Sequence, residues 1–152
     1  MKRGSYRITT GRGLWLATFL ALTVMQIGLA GQCQAGSIVT ATCPCGFKTS
    51  NLMIFGGRAN FQRYCAFPAL CPECGQLELV NLLERVPSCR NCPGTSPVAY
   101  DDPSLLGRPG SQTIASWNIP KLGRVLLLTD GDYYCPACHQ FSFRFSVAGF
   151  WD

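Results

Sequence analysis

Residues 71–93 read CPECGQLELVNLLERVPSCRNCP. Two cysteine pairs, Cys71/Cys74 and Cys89/Cys92, bracket a β-prone run from Gln76 to Leu83, and Glu84 to Ser88 reads as a turn into the second pair. Two thiolates close together in sequence can bind one metal ion from a tight turn, whose backbone N–H groups then donate to the sulfurs. Pro72 presets φ for such a turn, and Gly75 supplies a positive φ without steric cost. Cys89 to Pro93 is the weaker knuckle, because Pro93 has no N–H to donate. Two pairs together make the four-thiolate set that a tetrahedral structural zinc prefers. The spacing C-x2-C-x14-C-x2-C is close to that of known zinc sites.

The chain has 152 residues and ten cysteines, and eight of the ten fall into four such pairs. The outer two are Cys43-Pro44-Cys45-Gly46, a shortened form with both turn residues, and Cys135-Pro136-Ala137-Cys138-His139, with His139 in the place of the glycine. Histidine tolerates positive φ better than most residues. If the inner pairs share one ion, Cys43 and Cys45 are left to share a second with Cys135 and Cys138, which would tie the two ends of the domain together. Sequential sharing, first pair with second and third with fourth, is the alternative. The compact loop between Cys74 and Cys89 favours the nested scheme, though spacing does not decide it.

Disulfides within the pairs would close very small loops, which restrict the unfolded chain little. In a bridge between distant cysteines the Pro/Gly punctuation would have no purpose. The expectation is therefore zinc, two ions per chain, at Cys43, Cys45, Cys71, Cys74, Cys89, Cys92, Cys135 and Cys138. Iron is the chemical alternative, since four thiolates bind either metal. Each structural site contributes on the order of 10 kcal/mol of apparent binding free energy, enough to decide whether a chain this small folds. Cys33 and Cys65 are left over. They pair with each other, or Cys65, flanked by Tyr64 and Ala66, is a buried small hydrophobe.

Lys2, Arg3, Arg7 and Arg12, the apolar run Leu14 to Met25, and then Gly28-Leu29-Ala30 form the three-part pattern of a secretory signal peptide. Residues 1–30 are read as that signal, with cleavage as late as residue 35, and 36–152 as the domain. Gln32 stands where a lipoprotein signal requires cysteine. The apolar run is about 12 residues, short of the roughly 18–20 that a membrane span needs, so no membrane association is expected after cleavage. The body is placed outside the cytoplasm, periplasmic or secreted; a true start at Met25 would instead leave it cytoplasmic. Extracytoplasmic cysteines usually become disulfides, so metal there is unusual. Without residues 1–30 the 13 basic residues fall to nine against eight acids, a formal +1 in place of +5. No basic stripe remains downstream, and the electrostatic footprint of a nucleic-acid binder is absent. Two ions and eight thiolates would shift that balance to about −3.

The rest reads as mainly β with little helix. Ser37 to Thr42 and Asn51 to Phe55 are expected strands either side of the first knuckle, Gly56-Gly57-Arg58 a loop, and Val98-Ala99-Tyr100 the strand leaving the third knuckle. Asp102 is read as an N-cap, with Pro103 at the first position of a helical turn. Gly107 to Pro120 reads as a Gly/Pro/Ser-rich loop anchored by Ile114 and Trp117. Arg124 to Thr129 and Tyr133 to Val147 read as a hairpin across Asp130-Gly131. The aromatics of Gly149-Phe150-Trp151-Asp152 are expected on the core.

The four knuckles with intervening strands, from about Thr42 to Phe145, resemble the zinc-ribbon or rubredoxin-like group. With Tyr100-Asp101-Asp102-Pro103 and the final Trp151-Asp152, the pattern resembles small bacterial zinc-ribbon proteins. That resemblance implies small hairpins around metal sites and implies no activity. The signal segment departs from the group, whose usual nucleic-acid roles are cytoplasmic.

No nucleophile–base–acid set is visible, and a closed four-cysteine site has no open position for water. The expectation is an exported, non-enzymatic zinc-binding domain whose surface binds another protein. Two other readings stand beside it. One is thiol–disulfide redox chemistry at Cys135/Cys138, where Tyr133 to Phe141 resembles the active-site loop of periplasmic disulfide oxidoreductases. Such a nucleophile needs a helix N-terminus, whereas Phe141 to Val147 alternates with period two and reads as a strand. The other is zinc storage or delivery.

Overall fold

Alternating side chains build this molecule from strands. The computed structural model describes residues 35–152 except Phe61; the expected signal segment and Cys33 lie outside the described residues. Ten strands follow in order: β1 (Gly36–Thr42), β2 (Lys48–Ile54), β3 (Ala66–Leu70), β4 (Leu77–Asn81), β5 (Val98–Ala99), β6 (Leu106–Arg108), β7 (Thr113–Ile119), β8 (Arg124–Thr129), β9 (Asp132–Tyr134) and β10 (Phe141–Trp151). Helix is confined, among the described residues, to single turns at Gly57–Asn60, Pro103–Leu105 and Pro120–Leu122. The mainly β expectation holds. The strands form a five-stranded sheet in the order β2-β1-β10-β9-β6, a three-stranded sheet β4-β3-β5 and a two-stranded sheet β7-β8.

β10 carries the core. Phe143 and Phe145 point inward while Arg144 and Ser146 are exposed, the period-two pattern that one buried face demands. Tyr100 is fully buried, with its ring centroid 5.4 Å from Phe145, 6.0 Å from Phe143 and 6.1 Å from Tyr133. Its hydroxyl donates to the Tyr134 carbonyl at 3.0 Å, which removes the cost of burying it. Phe55 extends the cluster, 4.9 Å from Trp117 and 6.1 Å from Phe67. Burying each such ring stabilises by roughly 1.5–3 kcal/mol.

β3 is buried along its whole length although Pro68 sits in its middle. Tyr100 N–H donates to the Pro68 carbonyl at 2.9 Å, but Pro68 has no N–H to return. The β3–β5 ladder accordingly pairs only Ala69 with Ala99 and Leu70 with Val98, and the chain turns away after Tyr100. There Asp102 caps the Pro103–Leu105 turn, accepting from the Ser104 N–H at 2.8 Å, as the sequence indicates.

Four sequence readings are corrected. β8 pairs with β7 across Pro120–Gly123, not with β9 across Asp130-Gly131; β9 pairs with β6 and β10. A Cβ on Gly131 would collide with the Arg108 carbonyl, so this glycine permits close backbone approach rather than a hairpin turn. The expected loop Gly107 to Pro120 contains β7, whose Ala115, Trp117 and Ile119 face inward; the Trp117 anchor is right. Gly57 begins a helical turn, not a loop. Phe150 is 72% exposed, whereas Trp151 packs as expected and donates from Nε1 to the Ile54 carbonyl at 3.0 Å.

Candidate metal centres

The knuckles are the turns of this sheet architecture. Cys43 to Phe47 joins β1 to β2, Cys71 to Gln76 joins β3 to β4, and Cys135 to Gln140 joins β9 to β10. Cys71 and Cys135 share one frame. The N–H of the first cysteine donates to the carbonyl five residues on (Gln76, Gln140), and the residue after the second cysteine donates back (Gly75, His139), all at 2.9–3.0 Å. Cys43 uses the same frame one residue shorter, with Gly46 and Phe47. The back-donating residue has positive φ each time: 95° at Gly46, 68° at Gly75 and 60° at His139. In the Cys89 knuckle Pro93 cannot donate, and the turn widens until Thr95 N–H donates to the Cys92 carbonyl at 3.0 Å.

Strand register then brings distant knuckles together. Thr42 pairs with Arg144 at the end of the β1–β10 ladder, so the next residue, Cys43, lies beside Ser142 and the β9–β10 turn. Leu70 pairs with Val98, which sets Cys71 beside the chain leaving the Cys89 knuckle. The eight sulfurs gather as Cys43/Cys45/Cys135/Cys138 and Cys71/Cys74/Cys89/Cys92, with the four Sγ atoms of each group within 4.8 Å of one another. This is the nested scheme. Cys65 is in neither group; it is buried, and its thiol is pushed up to about 12, first by burial.

Sulfur separations identify what each group fits. They are 3.7 Å for Cys43–Cys138, 3.8 Å for Cys45–Cys135 and 3.7 Å for Cys74–Cys89. A tetrahedron with metal–sulfur bonds of about 2.3 Å has an edge of about 3.8 Å, whereas a disulfide requires about 2.05 Å. Both groups could hold a metal ion. In each, one cysteine of every pair is buried and the other is partly or fully exposed, so each site has a solvent side and a core side.

Electrostatics agree with the geometry. Burial opposes ionisation of Cys43, but the Ser142 hydroxyl and the Cys45 N–H donate to its sulfur and bring it down to about 6. The Cys74 N–H, with that of Glu73, lowers Cys71 to about 7. Burial pushes Cys89 up to about 11 and Cys92 and Cys135 up to about 12, with neighbouring sulfurs adding to the rise. Donors in the protein thus favour the thiolate at Cys43 and Cys71, and a cation would offset the burial that opposes it at Cys89, Cys92 and Cys135.

Two neighbours of the sulfurs escaped the sequence reading. Ser142 Oγ is 3.1 Å from Cys43 Sγ, and the Glu78 carboxylate accepts from the N–H of Arg90, the residue after Cys89, at 3.4 Å. Neither carries a motif; only register puts them there. His139 stands outside both groups, its Nδ1 2.7 Å from the Tyr134 hydroxyl. Asp101 pairs with Arg124 at 3.1 Å, so the Asp101-Asp102 pair serves structure. Between the two Cys-Pro-x-Cys knuckles lies a 540 Å³ cleft, lined among others by Pro72, Gly75, Tyr134, Pro136 and Phe141. Among the described residues no helix is long and apolar enough to cross a membrane. Comparison with protein-family models, curated proteins and solved structures finds no match to this chain.

Proposed function

We propose that this chain is an exported, non-enzymatic zinc-binding domain of the zinc-ribbon kind, with one ion in each four-cysteine group holding the fold and a surface that binds another protein. The observation that carries the metal reading is the pair of sulfur tetrads with tetrahedral edges. Cys43 and Cys45 with Cys135 and Cys138 would hold one ion, and Cys71 and Cys74 with Cys89 and Cys92 the other. The ion would supply positive charge that lets four thiolates coexist; the protein contributes the turns, the N–H donors and the Ser142 hydroxyl. Export rests on the signal pattern of residues 1–30. The partner reading rests on the apolar cleft between the knuckles and on Phe141, which is 48% exposed beside it. Redox chemistry at Cys135/Cys138 is less well supported, because the strand β10 follows where a helix N-terminus would be needed. Native mass spectrometry of the purified chain should show two zinc ions and eight metal-protected thiols. Four disulfides and no metal would refute the reading.

A further inference from the structure

The two tetrads serve as controls for each other. They have the same order of buried and exposed cysteines, and each has a first knuckle with the short hydrogen-bonded frame. They differ in what lies against the sulfurs. Beside the first, Ser142 Oγ is 3.1 Å from Cys43 Sγ and 4.0 Å from Cys138 Sγ, a hydroxyl that can turn its proton toward either. Beside the second is a carboxylate. Glu78 is held at the Cys89 knuckle by the N–H of Arg90, the residue that follows Cys89. Its Oε2 takes only the Arg90 N–H, at 3.4 Å, and its Oε1 is buried with no partner. No ammonium or guanidinium pairs with it among the described residues.

A divalent ion on four thiolates leaves a cluster of net charge about −2. A hydroxyl donating toward that charge stabilises it, and a carboxylate held against it in a partly dry setting opposes it. The second tetrad also contains the widened knuckle, where Pro93 withholds an N–H from the sulfurs. Both differences act in the same direction.

We propose that Cys71/Cys74/Cys89/Cys92 is an exchangeable zinc site and Cys43/Cys45/Cys135/Cys138 a retained one, with Glu78 as the residue that makes the second site release its ion first. This rests on the metal-binding reading above and extends it: the chain keeps one ion for its fold and can pass the other to a stronger zinc ligand. The expected order of loss is the second site, then the first.

The test uses the full chain loaded with two equivalents of zinc and challenged with a weak chromogenic chelator. Native mass spectrometry should show a persistent one-zinc species. Alkylation during the challenge, followed by peptide mapping, should label Cys71, Cys74, Cys89 and Cys92 before the other four. Glu78→Gln should slow the first loss roughly ten-fold, the scale on which groups adjoining metal ligands act. Simultaneous loss of both ions, or earlier labelling of the Cys43 group, overturns the proposal while leaving two-zinc binding intact. A wild-type rate unchanged in Glu78→Gln overturns the role of Glu78. A chain that binds no zinc overturns both readings. The labelling order in the wild type decides the matter even if Glu78→Gln does not fold.

Discussion

Cys135→Ser should destabilise the chain by about 1.6 kcal/mol more than Cys71→Ser, from the loop lengths alone. The two positions are matched. Each is the fully buried first cysteine of a Cys-Pro-x-Cys knuckle with the same backbone frame, so the cost of the turn itself is common to both, and the different neighbours, Ser142 beside one tetrad and Glu78 beside the other, add to the loop effect in the same direction. What differs is the span that each tetrad closes: a sequence separation of 90 from Cys45 to Cys135, and of 15 from Cys74 to Cys89. A metal stabilises a fold by binding it more tightly than it binds the unfolded chain, and residual binding to unfolded cysteines reduces the gain. The unfolded chain can bring Cys71–Cys74 and Cys89–Cys92 together cheaply, but not Cys43–Cys45 and Cys135–Cys138. Closure cost rises by about 0.6 kcal/mol per doubling of the loop, so a roughly six-fold longer loop gives the difference of about 1.6 kcal/mol. Urea unfolding in excess zinc, followed by fluorescence of the buried Trp117, measures it as a lower midpoint for Cys135→Ser at similar slope. Equal midpoints, or a lower one for Cys71→Ser, would refute the reasoning.

Other expectations follow from single positions. Gly75→Ala should cost about 1 kcal/mol in thermal unfolding, purely from left-handed backbone, because φ is 68° and a Cβ there meets nothing within 4 Å; Gly75→Asn should recover part of the loss. Gly36→Ala should expel the Trp151 indole, which a Cβ would overlap, and Trp151→Phe, which loses the bond to the Ile54 carbonyl and part of the indole packed over Gly57, should cost at least about 1 kcal/mol in urea. Arg144 donates to Asp132 at 2.6 Å and, with Arg108, lowers its carboxyl. That contribution is present above the ordinary aspartate pKa of about 3.9 and is lost as pH falls through the lowered value. Thermal melts of Asp132→Asn should therefore fall behind wild type at neutral pH and converge with it in acid.

Much of the site was legible because its chemistry is local. A Cys-Pro-x-Cys-Gly run specifies its own turn, and Gly46, Gly75 and even His139 take the positive φ that their places in the motif require. Strands with a clear period, such as β1 and the first half of β10, were legible for the same reason. β7 was not, because its inward residues begin with Ala115 and its flanks are rich in Gly, Pro and Ser. Asp130-Gly131 misled because the turn chemistry of a hairpin and the close approach of two backbones both select glycine.

By itself the sequence determined the composition of the domain: four paired-cysteine turns, few charges, strand-length apolar runs and an N-cap at Asp102. Which knuckles share a tetrad was decided by the tertiary structure, through the β1–β10 register at Thr42 and Arg144 and the β3–β5 register at Leu70 and Val98. The same pairings set Ser142 against one tetrad, and the fold set Glu78 against the other. The physical reason is range. Turn preferences act over four or five residues and are written in the motif, whereas the neighbours of a sulfur are chosen by pairings up to about a hundred residues apart, which depend on the whole core packing at once.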